Sequence, residues 1–144
     1  MNTAMLLKPK SAVAYIYGDL SAEEGLSEFI KGGYTAVPVI DREGIYLGVV
    51  SERDFLYRLL ESREEGYTAP ENLTVADLAS CSRFEAVPID ADIDTLFSRI
   101  IEQNFVPVVD SRGMFSGIIT RRAVLMRAFT KLNLVAVPAA YERK

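Results

Sequence analysis

The sequence predicts an α+β fold made of two β-α-β-β-α units packed with pseudo-twofold symmetry, and three observations carry that prediction. Residues 105–125 (FVPVVDSRGMFSGIITRRAVL) hold two short β-branched runs around a turn closed by Gly113, the pattern of a β-hairpin. Thr120 then stands where a helix N-cap belongs, ahead of an apolar segment. Residues 36–56 (AVPVIDREGIYLGVVSERDFL) repeat the pattern without a gap: Pro38 meets Pro107, Asp41 meets Asp110, Gly44 meets Gly113, Gly48 meets Gly117 and Ser51 meets Thr120, a constant offset of 69. Upstream the offset becomes 71, with Asp19 meeting Asp90 and Thr3 meeting Thr74, so the first copy holds two extra residues around Gly32-Gly33, where a surface connection tolerates them. An internal repeat of this length means two copies of one supersecondary unit.

Each element has a local reason. Thr3 to Leu7 reads as a short apolar helical turn, echoed by Thr74 to Leu78. Val13 to Ile16 reads as a brief strand. Ser21 followed by Glu23 and Glu24 is a helix start with capping-box spacing, Leu26, Phe29 and Ile30 form the apolar stripe, and Gly32-Gly33 ends the helix. After the first hairpin Ser51 opens a helix expected to turn Phe55, Leu56, Leu59 and Leu60 inward. The charged run from Glu61 to Asn72 reads as the connection between repeats. The second copy continues with a strand over 85–89 and a helix from about Asp92 to Gln103 whose stripe is Ile93, Leu96, Phe97, Ile100 and Ile101. The second hairpin and a helix from Thr120 to about Lys131 close it, giving a first repeat with its connection over 1–72, a second over 73–131, and a tail over 132–144. Each repeat alone is marginal in size, so the two are expected to pack on each other across a shared core.

Composition narrows the function. A net charge of −4 over 144 residues excludes bulk attraction to nucleic acid or an acidic membrane, so any anion site must be local. There is no histidine, which removes the commonest general base and the commonest nitrogen metal ligand. Cys81, the single cysteine, has neither a histidine partner nor a CxxC spacing, so no metal site and no thiolate chemistry are expected, and a lone cysteine fits a reducing compartment. No signal-peptide pattern and no apolar run near 18 residues is present, and a cytoplasmic, non-enzymatic protein is expected.

One local anion site suggests itself. The first turn of a helix carries free N–H groups and the positive end of the dipole, yet Arg121 and Arg122 fall there, behind the Thr120 hydroxyl. That makes a phosphate-binding corner or, more plainly, a solvated basic helix start. The first repeat places Ser51-Glu52-Arg53-Asp54 at the same point, two acids and one base.

A tandem β-α-β-β-α unit with VPVhD before the turn and GhhS/T at the end of the following strand resembles the CBS domain, and two together resemble a CBS pair, or Bateman module. GYTAVPVID (33–41) and NFVPVVD with GIITRR (104–110 and 117–122) more narrowly resemble the small stand-alone CBS proteins that bind cyclic di-AMP or AMP. The resemblance implies a homodimeric, non-catalytic sensor without a cofactor, in which an adenine nucleotide (AMP, ADP, ATP or cyclic di-AMP) binds between the repeats and alters an effector protein. By position it carries the family's S/T-x-x-D element onto Ser51 and Asp54, the hydroxyl meeting phosphate or sugar and the aspartate the ribose diol. It carries base-pocket roles onto Val13 and Ala14, onto Tyr34, Thr35 and Ala36, and onto Asn104, Phe105 and Val106, with Pro107 as a pocket wall. In the second repeat the element reads Thr120-Arg121-Arg122-Ala123, without the aspartate, which disfavours an ordinary AMP pose there and makes its two arginines the stronger expected contributors to binding. Duller readings remain open: Ser51 and Asp54 also form a capping box, Tyr34 also suits core packing, and the whole chain could be a ligand-free structural or dimerisation module.

Overall fold

The computed structural model describes residues 3–64, 73–79 and 84–132; the expectations for Cys81, for most of the inter-repeat connection and for the tail fall outside these residues. The elements run α1 (Thr3–Leu6), β1 (Lys8–Pro9), a 3₁₀ turn (Lys10–Ala12), β2 (Ile16–Tyr17), α2 (Ala22–Gly32), β3 (Ala36–Ile40), β4 (Tyr46–Ser51) and α3 (Glu52–Glu64). They continue with α4 (Val75–Ala79), β5 (Val87–Pro88), α5 (Ile93–Glu102), β6 (Phe105–Val109), β7 (Phe115–Thr120) and α6 (Arg121–Leu132). The expected strand at Val13–Ile16 starts later, at Ile16, where the parallel pairing with β3 begins. Among the described residues no helix is long and apolar enough to cross a membrane.

The repeat persists to the level of single hydrogen bonds. Both hairpins are antiparallel with the same irregularity, between Val39 and Ile40 and between Val108 and Val109. Asp41 Oδ1 accepts from the amides of Glu43 and Ile45, both at 2.9 Å, and Asp110 Oδ1 accepts from those of Arg112 and Met114 at 2.8 and 3.0 Å. Each carboxylate thus builds the turn that its glycine completes at positive φ, 96° at Gly44 and 80° at Gly113. The two turns then bond reciprocally: the Tyr46 amide donates to the Gly113 carbonyl at 3.1 Å, and the Phe115 amide donates to the Gly44 carbonyl at 2.9 Å. Equivalent atoms exchanging equivalent bonds place the local twofold axis between the hairpins.

The apolar interior is two clusters, not the single shared core expected. One gathers Ile16, Phe29, Val37, Val39 and Val50, the other Val87, Leu96, Ile100, Val106, Val108 and Ile119. Each is completed by the segment that precedes the other repeat. Leu73, Val75, Leu78 and Ala79 pack into the first cluster, and Leu6 packs into the second, where Thr3 Oγ1 donates to the Ala91 carbonyl at 2.7 Å. The sheets follow the same exchange, with order β2-β3-β4 in the first and β1-β7-β6-β5 in the second. The close approach requires glycine. A Cβ on Gly48 would overlap the Ala79 carbonyl oxygen, and one on Gly117 would overlap the Lys8 carbonyl oxygen.

Helix stripes are only half spent on these cores. Phe29, Leu96 and Ile100 are buried and Phe55 is half-buried, as expected. The inward placement expected for Ile30, Leu56, Leu59, Leu60 and Ile101 is corrected: Ile30 is 68% exposed, Leu59 65% and Ile101 76%. A sheet of three or four short strands is too narrow to cover more than one edge of each flanking helix.

Candidate functional site

The site begins with the end of β4. Ser51 stops pairing after Ala36, and the Glu52 amide turns to the Thr35 carbonyl at 3.0 Å, so the chain enters α3 at a fixed angle. Asp54 Oδ2 accepts from the Ser51 amide at 2.8 Å and from the Ser51 hydroxyl at 3.0 Å, while Ser51 Oγ faces the Asp54 amide at 3.4 Å. The capping reading is therefore realised, and among the described residues no partner engages Asp54 Oδ1.

This helix start opens on a cleft of about 630 Å³, within the ~300–1,000 Å³ typical of small-molecule sites. It is lined by Val49 and Ser51 of β4 and by Arg53, Asp54, Tyr57, Arg58 and Glu61 of α3; from across the cleft come Leu73 before α4, Asp77 and Leu78 of α4, and Phe84 before β5. The walls belong to both repeats, because α4 is the exchanged segment. Charge is mixed. Arg58 pairs with Glu61 at 3.1 Å, and among the described residues its buried Nε has no hydrogen-bond partner. The Arg53 guanidinium lies over the Tyr57 ring, 5.1 Å from its centroid. Hydrogen bonds from the Thr74 amide and hydroxyl hold the Asp77 carboxyl below its ordinary value, so it is a carboxylate at neutral pH. Among the described residues no group of three or more acidic or sulfur side chains is placed to hold a metal ion.

Of the residues singled out in the sequence, Ser51 and Asp54 line this cleft, and Thr35 and Ala36 sit directly behind them through the Glu52–Thr35 bond and the Ala36–Ser51 pair. Tyr34 packs edge-on to Phe29, 6.2 Å between ring centroids, and is half-buried against the first cluster. Val106 and Pro107 are buried in β6, and Phe105 is buried with its ring 4.8 Å from that of Phe84. Val13 is half-buried and Ala14 exposed, in the segment leading to β2, away from the lining of this cleft.

The second helix start differs as its sequence does. Thr120 Oγ1 accepts from the Ala123 amide at 3.0 Å, and Ala123 offers no carboxylate to take the hydroxyl proton. The Asn104 carbonyl accepts from the Arg121 amide at 3.0 Å, the counterpart of Thr35 and Glu52. Of the two arginines, at least one of which is expected to meet phosphate, Arg121 turns its head group to the neighbouring helix. Its Nε donates to the Ile100 carbonyl at 2.9 Å and a terminal nitrogen to the Ile101 carbonyl at 3.0 Å, because the unpaired carbonyls ending α5 are the nearer negative charge. Arg122 is exposed at the corner.

Sequence reasoning missed Arg53, Tyr57, Arg58, Asp77 and Phe84. For Phe84 the signal was present: the offset of 71 that relates Thr3 to Thr74 carries Val13 onto Phe84.

Comparison with known proteins agrees with this architecture. The family model described as CBS domain matches residues 7–61 and 75–129. The chain is 26% identical over 113 residues to cyclic di-AMP receptor B of Bacillus subtilis (strain 168), covering 78% of this chain and 76% of that protein. It is 31% identical over 86 residues to inosine-5'-monophosphate dehydrogenase of Mycobacterium tuberculosis (strain ATCC 25618 / H37Rv), covering 60% of this chain but only 15% of that enzyme. The crystal structure of the CbpB protein of Listeria monocytogenes in complex with c-di-AMP has a TM-score of 0.76 at 27% identity, over 92% of this chain and 98% of that one. With both repeats matched and both folded as described, the chain belongs to the CBS-domain family as a tandem pair.

Proposed function

We propose that this protein is a regulatory sensor of adenine nucleotides and that the cleft at the Ser51 helix start takes the nucleoside. The observation that carries the reading is the coincidence of an acid placed for a ribose diol, Asp54, with two aromatic side chains, Tyr57 and Phe84, around one small-molecule-sized cavity. A diol donates two hydrogen bonds to a carboxylate, and a purine needs flat apolar surface, so the parts fit the ligand class. The similarity to proteins whose names specify cyclic di-AMP supports the same class. Cyclic di-AMP, AMP, ADP and ATP all carry the adenosine the cleft would read.

The protein acts on a partner rather than on its ligand, and it works as a homodimer. Ile30, Leu59, Ile101 and Leu125, on all four long helices, leave apolar surface exposed that a second copy would cover. A stable pairing would bury upwards of about 1,200 Å² in total.

A thermal-shift panel of AMP, ADP, ATP, S-adenosylmethionine and cyclic di-AMP tests the reading. A ligand at 100 times its Kd adds about 2.7 kcal/mol, which is readily measured. No shift with any of them would leave the ligand-free dimerisation module as the better description. Sedimentation at high micromolar concentration tests the dimer, and a monomer there rejects it.

A further inference from the structure

Tyr46 sits where the two hairpins meet. Its amide bonds across the local axis to Gly113, and its ring stacks on Phe115, 6.3 Å between centroids with 21° between planes. Its hydroxyl reaches further and donates to the Phe84 carbonyl at 2.7 Å. Burial pushes the Tyr46 pKa up, so the hydroxyl remains a neutral donor throughout the physiological range. The N–H of the same peptide, and the carbonyl of the next, are held by a second side chain. The buried Gln103 side chain accepts from the Glu85 amide at 3.2 Å and donates to the carbonyls of Glu85 and Phe105, each at 3.3 Å. Phe84, which lines the cleft and whose ring leans on Phe105, is thus clamped through its own carbonyl and through its neighbour.

The repeat makes a comparison possible inside one molecule. At the offsets of 69 and 71, Tyr46 corresponds to Phe115, Tyr57 to Met126 and Phe84 to Val13. The cleft at the second helix start therefore has no hydroxyl at the clamping position and no ring at either wall position. If Tyr46 served only to stack across the axis, phenylalanine would do as well, as it does at 115. The hydroxyl is the added part, and its partner is the backbone of the cleft wall.

We propose that Tyr46 is a positioning residue that fixes Phe84 as the aromatic wall on which a purine stacks, making the first cleft the base-stacking one of the two. This rests on the nucleotide reading above. The device belongs to the first repeat's hairpin but acts on a residue of the second, so it also ties the binding wall to the contact between repeats.

The test uses the full chain with 1,N6-ethenoadenosine 5'-monophosphate, whose fluorescence is quenched on stacking against an aromatic ring. The parent should bind with marked quenching. Tyr46→Phe retains the stack on Phe115 and loses one hydrogen bond; it should weaken binding about five- to tenfold and reduce the quench at saturation. Phe84→Leu retains an apolar wall without a ring and should abolish most of the quench. Phe115→Leu, which disturbs the same junction without touching the clamp, should lower the melting temperature while leaving the quench of bound ligand at the parent level. Parent-like affinity and quench in Tyr46→Phe, or full quench in Phe84→Leu, overturns the positioning role while the nucleotide reading stands. A parent that does not bind the probe overturns the positioning role, and if the nucleotide panel also gives no thermal shift the nucleotide reading falls with it.

Discussion

Arg121, the first residue of α6, closes the last turn of α5 by donating to the carbonyls of Ile100 and Ile101 at 2.9 and 3.0 Å. A planar guanidinium suits two adjacent carbonyls, and a cation at a helix carboxyl end is favourable by about 0.3–1 kcal/mol. Arg121→Ala should therefore lower stability by about 1 kcal/mol and hasten amide exchange in the final turn of α5. Arg121→Lys should recover the charge term but not the paired geometry. An alanine variant with unchanged melting and exchange would show that the contact contributes nothing.

Three glycines at positive φ allow a second comparison. Gly33 is αL at the end of α2, with nothing within 4 Å of an added Cβ, so Gly33→Ala should incur only the backbone term, about 1 kcal/mol. Gly48 and Gly117 add a collision with the carbonyls of Ala79 and Lys8, so Gly48→Ala and Gly117→Ala should each lose about 3 kcal/mol or more. Chemical denaturation of the three variants gives the order directly. Equal losses would mean that the exchanged segments yield without resistance.

These glycines also mark how far the sequence could be read. Period, turn chemistry and caps located both hairpins, the Ser21 capping box and the helix starting near Asp92, because each depends on residues close in the chain. The repeat showed that Gly48 and Gly117 were equivalent but not what they face, since Ala79 and Lys8 arrive from the far side of the connection. For the same reason the cleft was half legible. Ser51 and Asp54 announce themselves within four residues, whereas Phe84 and Asp77 enter by segment exchange. The contact of Arg121 with α5 was not legible, because a charge beside a helix N-terminus says nothing about the neighbouring C-terminus.

Acid should unfold the protein through its cap and turn carboxylates. The Thr95 amide and hydroxyl hold Asp92 below its ordinary value of 3.8. Burial works against Asp110, but the amides of Arg112 and Met114 and the Arg112 side chain hold it low as well. A carboxyl with a lowered folded pKa binds fewer protons folded than unfolded. Its contribution is whole above the ordinary carboxylate value and is lost as pH falls through the lowered one. Asn caps a helix about as well as Asp. Asp92→Asn should therefore melt near the parent at pH 7 and decline less steeply below about pH 4. Identical acid limbs for the two proteins would remove Asp92 from the account.

The last prediction concerns which helix start governs binding. Sequence alone favours the second, with two arginines and no acid. The structure gives the Arg121 head group to α5 and places a small-molecule-sized cleft at the first, beside Asp54. A hydrogen bond to a charged group is worth about 1.5–3 kcal/mol, so losing the diol contact should weaken binding about 10- to 150-fold. Asp54→Ala tests this but also removes the acceptor of the Ser51 amide. Asp54→Asn can keep one acceptor oxygen for Ser51 while replacing the other, and the charge, with an amide donor, so it should show most of the loss in affinity with little loss in stability. Arg121→Ala should cost less than about threefold in affinity, because its effect is on α5. Arg122→Ala decides whether the second corner touches phosphate: a drop above about tenfold for AMP, absent for adenosine, places the phosphate there. Isothermal titration of the four variants separates these outcomes. Parent-like affinity in both Asp54 variants, together with loss in Arg121→Ala, would move the nucleoside to the second helix start.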